Sequence, residues 1–442
     1  MKGYAYYSAF TNLAQTIQQD AACGYVRSGD ATAAGYSLAK ASREAKGCMD
    51  EFLISARQYL AMTGDRNCRV IPLEQGYREW DNGFHARRTG EHVYVTEVTG
   101  ETELKPGDEI YAVGNQTLEE LRKSLGHNIF YENTDERENW DQFFRMFQTA
   151  VVFPGDGSGK KIALKHFPVS DRTPELSFRM PKADTVLMKI ESFADPDRLA
   201  ALMAEAAPSL AGAAKLILDL RHCEADGEPI HFLPLLPYLI DHDVSGEELF
   251  PTRTICTSYT RQNVERLVHR LRELESECTD PEARAYAEEA IAHAQEMGDR
   301  VTALRRTERM LYERRKFNEI EETEESGLEN LPIAAASDAP KQVILLTDTD
   351  TCYAGEWLVQ AVKGMNKVTV LGRPTAGMLD YTDLIYMDYE DIEVRFIYPM
   401  SRTKEAKEGR GVAFKGVEPD IYIPFTREEC TNDRILARAL EL

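Results

Sequence analysis

The chain lacks any stretch of about 18 apolar residues, any Cys-x-x-Cys pair and any low-complexity tract, and its basic residues fall well short of its acids. Without a long apolar run there is no candidate membrane-spanning helix. With 52 Lys and Arg against 74 Asp and Glu, the formal net charge is -22. Nucleic acid and anionic membranes reward concentrated positive charge, so neither is expected as a partner. The cysteines, at positions 23, 48, 68, 223, 256, 278, 352 and 430, are scattered; the spacing of a zinc knuckle or redox pair is missing, and reduced structural thiols are expected. The histidines show no ligand-like spacing with carboxylates or cysteines either, so neither a metal nor a cofactor is expected. Residues Met1 to Tyr7 lack the uninterrupted apolar core of a signal peptide. Unless a leader has been removed, the expected location is cytoplasmic.

What the chain does have is organised around Val343 to Leu358. Val343-Ile344-Leu345-Leu346 is too short and too aliphatic for anything but a buried strand, polar turn formers follow, and helical spacing resumes from Ala354 to Val362. A strand, a sharp turn and a helix lift one side chain clear, while backbone N–H groups at the helix start face an incoming carbonyl oxygen. At 442 residues, 43% of them hydrophobic, the chain is long enough for two or three domains.

Residues 1–63 read as a helical segment, with Phe10, Leu13, Ile17, Tyr36, Leu38, Phe52 and Leu60 near three-and-four spacing. Residues 64–170 begin with a strand near Val70 and turn to alternation, as in His92 to Val98, with turns at Pro106-Gly107-Asp108 and Gly114-Asn115 and a helix from about Thr117. Residues 171–258 hold two buried strands, Asp184 to Ile190 and Ala214 to Arg221, with a helix over about Pro196 to Ala211; such a unit is parallel and right-handed. Residues 259–330 read as an inserted helical hairpin, broken at Thr279-Asp280-Pro281, whose second helix runs past Leu311 and which projects from the core. Residues 331–442 complete an α/β core through Val368 to Gly372.

The 64–170 segment resembles a PDZ domain in its second half, a fold whose exposed strand edge accepts an extended peptide. From Gly64 to the end the chain resembles the carboxy-terminal processing, or tail-specific, serine peptidases and their tricorn-core relatives. Four landmarks carry the resemblance in order: Leu218-Asp219-Leu220-Arg221, Ala354-Gly355-Glu356, Val370 to Gly377, and Gly416-Val417-Glu418-Pro419-Asp420. The resemblance implies a crotonase-like α/β core. It also implies oxyanion-hole donors near Gly227 and Ala354, and it makes Asp219, Arg221, Glu356, Gly377, Pro419 and Asp420 motif positions.

The family's chemistry does not transfer. Where its nucleophilic serine stands, three residues before Glu356, this chain has Tyr353, and a phenol is a poor acyl acceptor. The lysine base that follows the glycine at Gly377 is Met378. The histidine that the tricorn-like branch uses is Asn67, and an amide cannot take a proton near neutral pH. The turn after Arg221 gains Glu224 and Asp226, whose charge opposes a developing oxyanion. Glu405 and Glu408 fall near that branch's assisting carboxylate and read as a solvated loop.

One rescue is open: Cys352 as nucleophile with His222 as base. The expectation is therefore a serine-type peptidase relative with a replaced active site that binds extended peptides or unfolded polypeptide. The rival is a peptidase with an unorthodox nucleophile. Self-association through the hairpin, giving a homo-oligomer, is a third reading.

Overall fold

The computed structural model describes residues 2–23, 48–61, 63–125, 137–155, 157–169, 172–223, 227–307, 319–413 and 415–442. Readings at Tyr36, Leu38, Leu311 and the Glu224-Ala225-Asp226 turn lie outside the described residues.

The apolar runs form the centre. A six-stranded sheet takes the order Leu176–Lys182, Thr185–Ile190, Lys215–Asp219, Gln342–Thr347, Val368–Gly372, Ile421–Tyr422; the first pair is antiparallel and the rest are parallel. Its strands read as unbroken apolar runs because both faces are covered. On one face Val186, Met188, Leu216, Leu218, Val343 and Leu345 pack with the helices Pro196–Leu210 and Tyr353–Val362. On the other, Ile217, Ile344, Leu346 and Leu371 meet Ile435 and Ala439 of the C-terminal helix Arg434–Glu441. The mixed α/β core is that read from the sequence.

A second sheet was not evident in the sequence. The long hairpin Tyr381–Tyr389 and Val394–Thr403 gathers Arg69–Pro72, Arg253–Ser258 and Glu319–Glu324 in a five-stranded, wholly antiparallel arrangement. The strand near Val70 therefore pairs with Phe396 of this sheet rather than with the β-rich module that follows it. The helices Lys2–Gln19 and Met49–Ala61 bury Phe10, Leu13, Phe52 and Tyr59 against Val394, Phe396 and Tyr398 of the same sheet.

The helical hairpin, Arg261–Glu277 and Pro281–Thr307, also differs from its reading. It does not simply project: Val268, Ala294, Met297 and Val301 join the cluster formed by the N-terminal helices and the second sheet. Tyr398 donates to Asn263 Oδ1 at 2.7 Å, and Asn263 Nδ2 donates to the Asp20 carbonyl at 2.9 Å, so the hairpin base is pinned.

The β-rich module is an antiparallel sheet of Phe84–Thr89, His92–Val98, Glu109–Val113, Thr149–Phe153 and Lys160–Ala163, with Gln116–Thr117 paired to the third of these. Its core of Val93, Val95, Ile110, Val152, Trp140, Phe143 and Phe144 is its own. Among the described residues, no helix is long and apolar enough to cross a membrane.

Candidate active site

Lys215–Asp219, Gln342–Thr347 and Val368–Gly372 are neighbouring parallel strands, so the turns at their carboxyl ends converge at one edge of the sheet. Such edges are where α/β folds place sites. The middle turn is wound by its own side chains: the Asp348 amide donates to Thr351 Oγ1 at 3.1 Å, and Thr351 Oγ1 donates to the Leu220 carbonyl at 2.9 Å. The Cys352 amide donates to the Cys223 carbonyl at 3.1 Å, stitching this turn to the one after Arg221. The helix then begins at Tyr353 with φ +46, a left-handed backbone that a bulky side chain rarely adopts.

Around Tyr353 the three positions of interest meet. Tyr353 packs with Cys352, Ala376 and Met378, and the Arg69 guanidinium lies 5.9 Å from its ring centroid. Asn67 is buried, and its Nδ2 donates to the carbonyls of Met378, at 3.1 Å, and Tyr381, at 3.3 Å. Tyr353, Met378 and Asn67 thus stand together. A phenol, a thioether and an amide already engaged as a donor offer neither a ready alkoxide nor a base.

The motif residues hold the frame. Glu356 is fully buried, and its carboxylate accepts from Thr375 Oγ1, from the Gly377 amide at 2.6 Å and from the Met378 amide at 2.8 Å. Burial pushes this carboxyl up, against those bonds. Asp219 accepts from the Arg221 amide at 3.1 Å and Nε at 2.9 Å, while Arg221 also grips Asp433 with two contacts of 2.8 Å. Asp420 exchanges backbone and side-chain bonds with Val370, both 2.8 Å, and Pro419 precedes it at this sheet edge. Gly227 lies against the Phe193 backbone, where a Cβ would come within 3.0 Å, and Ala354 is buried in the first turn of the helix. Glu405 and Glu408 are exposed, Glu408 paired with Arg410.

The rescue pair is placed apart in role. Cys352 is only 5% exposed and its Sγ donates to the Cys223 carbonyl at 3.3 Å. His222, in a left-handed conformation at φ +63, is exposed, with Nδ1 3.7 Å from Asp350. The ring serves the carboxylate side of the cleft and the thiol points at backbone.

Residues that sequence reading missed build a charged wall beside this site. Arg87, from the module's first strand, reaches Asp348 at 3.1 Å and Asp350 at 3.0 Å. Arg66 donates to the Thr349 carbonyl at 2.6 Å, and Arg137 donates to the carbonyls of Thr375 and Ala376. Burial pushes the Asp348 carboxyl up, but His222 and Arg87 outweigh it and hold the group below the usual carboxylate range. His222, Asp348 and Asp350 offer three ligand atoms within 4.8 Å of one another, yet Arg87 already serves both carboxylates, so the group is an ion-pair network. An arginine far along the chain carries no local motif, which is why none of these was legible.

Between module and core opens a cavity of about 570 Å³ whose lining includes Arg66, Arg87, Arg137, Arg172, His222 and Asp350. A second, of about 590 Å³, continues from it and shares Arg87, Thr96, Glu97 and His222. The two form one polar cleft.

Residues 286–423 match the family model for peptidase family S41. Over that stretch, less than a third of the chain, the sequence is similar to peptidase family S41. The fold of mature CPAF complexed with lactacystin superposes with a TM-score of 0.63 at 12% identity, covering 100% of this chain and 97% of that one. Mature CPAF alone gives 0.62 at 13%, covering 99% and 96%. A CPAF mutant gives 0.58 at 13%, covering 97% and 94%. At these identities the likeness is one of fold. No curated protein matches the chain in sequence.

Proposed function

We propose that this S41-type chain is a peptide-binding protein that has lost acyl transfer and holds extended polypeptide, or a carboxy-terminal segment, in the cleft between module and core. The observation that carries the reading is the meeting of Tyr353, Met378 and Asn67, with Asn67 Nδ2 spent on two backbone carbonyls. A serine peptidase needs an activated hydroxyl and a group to take its proton. Here the elbow keeps its backbone and has exchanged both. The cleft supports the binding half of the reading: it is roomy, polar and flanked by the strand Phe84–Thr89 at the edge of the module's sheet, where an extended chain can add.

The test is hydrolysis of unfolded casein and of a tailed reporter, with fluorophosphonate and iodoacetamide labelling alongside, followed by fluorescence anisotropy with the same tailed peptides. The expected outcome is no turnover, no selective labelling, and saturable binding that Tyr353→Phe leaves largely intact. Tyr353→Ser alone is expected to restore no turnover, since Met378 and Asn67 stand where the family's bases would be. Turnover abolished by Cys352→Ala would overturn the reading in favour of a cysteine peptidase.

A further inference from the structure

Behind the Asn67 turn lies a buried cysteine pair that neither the motifs nor the proposed function uses. Cys23, just past the end of the first helix, and Cys68, just before the strand Arg69–Pro72, are 1% and 4% exposed, and their sulfurs are 3.2 Å apart. Both backbones are held by the same partner strand. The Ala22 amide donates to the Pro399 carbonyl at 2.9 Å, and Arg69 is in register with Ile397. The two cysteines are therefore delivered side by side by residues adjacent to each. Asp65, also buried, accepts from the Cys68 thiol at 3.6 Å and from the Asn67 amide at 3.0 Å.

From this geometry we infer that Cys23 and Cys68 form a reversible disulfide, a modification site that ties the end of the N-terminal helix to the turn carrying Asn67. A closure of about 1 Å brings the sulfurs to bonding distance. The oxidant is a hydroperoxide, small enough to reach a buried pair. The sulfur of one cysteine attacks the terminal peroxide oxygen, the O–O bond breaks, and an alcohol, or water from hydrogen peroxide, leaves with the thiol's proton, giving a sulfenic acid. The second sulfur attacks the sulfenic sulfur; the S–O bond breaks and the hydroxyl departs as water with the second thiol's proton. Two thiols and one peroxide thus yield one disulfide and two hydroxyl products.

Asp65, the acceptor of the Cys68 thiol, is placed to take the proton in transit. Burial raises the Cys68 thiol, so the pair answers sustained rather than brief exposure. Zinc is the competing occupant, since Cys23, Asp65 and Cys68 offer three ligand atoms within 4.8 Å of one another. A structural zinc site takes four ligands, and this group supplies three.

The test treats the full chain with hydrogen peroxide, blocks remaining thiols with N-ethylmaleimide, and maps peptides without reduction by mass spectrometry. The expected result is a linked peptide joining Cys23 to Cys68, cleaved by dithiothreitol. Because the cross-link closes a long loop, Tm should rise by about 5 °C in the wild type and not in Cys68→Ser. A map without that linked peptide, or with Cys23 joined to another cysteine, overturns the inference. So does a linked peptide with no change in Tm, or one zinc per chain found by elemental analysis of the reduced protein. If Cys68→Ser fails to fold, the wild-type map decides alone.

Discussion

At the scale of single residues, two groups are held at an energetic disadvantage. Tyr353 sits in the left-handed region at φ +46, which for a non-glycine residue costs on the order of 1 kcal/mol or more. Asp65 is the second: burial raises its carboxyl to about 6 against an ordinary 3.8, despite bonds from Asn67 and Cys68 that favour the charge. A carboxyl raised in the folded state favours folding fully below its unfolded value and loses that contribution as pH rises through about 6. Two units correspond to about 3 kcal/mol. Asp65→Asn keeps an oxygen for the Asn67 amide and removes the charge, so it should raise stability by up to that amount at pH 8 and change little at pH 4. Urea unfolding at both pH values checks this; equal effects at the two would refute the assignment.

At the scale of elements, the motifs turn out to be fastenings. Asp219 and Arg221 bind the end of one central strand to Asp433 at the start of the C-terminal helix, whose Ile435 and Ala439 cover a face of the sheet. Arg221→Ala should cost about 1–3 kcal/mol, as expected when charged hydrogen bonds are removed. Amide hydrogen exchange in Arg434–Glu441 should quicken while that of Lys215–Asp219 stays slow.

The same scale shows what could be read from the chain. Strands buried on both faces, such as Gln342–Thr347, announce themselves as unbroken aliphatic runs, and the helix breaks at Thr279-Asp280-Pro281 and near Ala354 are written in local residues. Tyr353 and Met378 could be named in the sequence because each adjoins a motif, whereas Asn67, far from any of the four landmarks, is tied to Met378 only by its side-chain bond. Glu319–Glu324 was not: its six residues include four glutamates, and what makes it a strand is the partner Arg253–Ser258 and the ion pairs of Arg253 and Arg402. Local propensity loses to tertiary pairing there. The wall of Arg66, Arg87 and Arg137 was equally hidden, because its meaning arises only when the module docks on the core.

At the scale of the whole molecule, Arg87 is a charged contact that joins the module's sheet to the central turn. Its partner Asp348 is almost wholly buried, so Arg87→Met should strip that carboxylate of its directly paired cation, leaving His222 and Arg373 to offset it, and cost up to about 3–5 kcal/mol. Replacing Asp348 together with Arg87 should recover much of the loss, and a double-mutant cycle measured by chemical denaturation would show the coupling. Additive losses would mean that the module is held chiefly by other contacts.

The second sheet carries a consequence for how the chain is made. Arg69 pairs with Ile397, and Phe10, Phe52 and Tyr59 bury themselves against that same late strand. During synthesis the N-terminal helices and the Asn67 turn emerge long before their binding surface exists, and contacts spanning most of the sequence are slow to form. A nascent chain halted before Val394 should therefore expose its first sixty residues to protease and to holding chaperones, and release of the last fifty should protect them in a single late step.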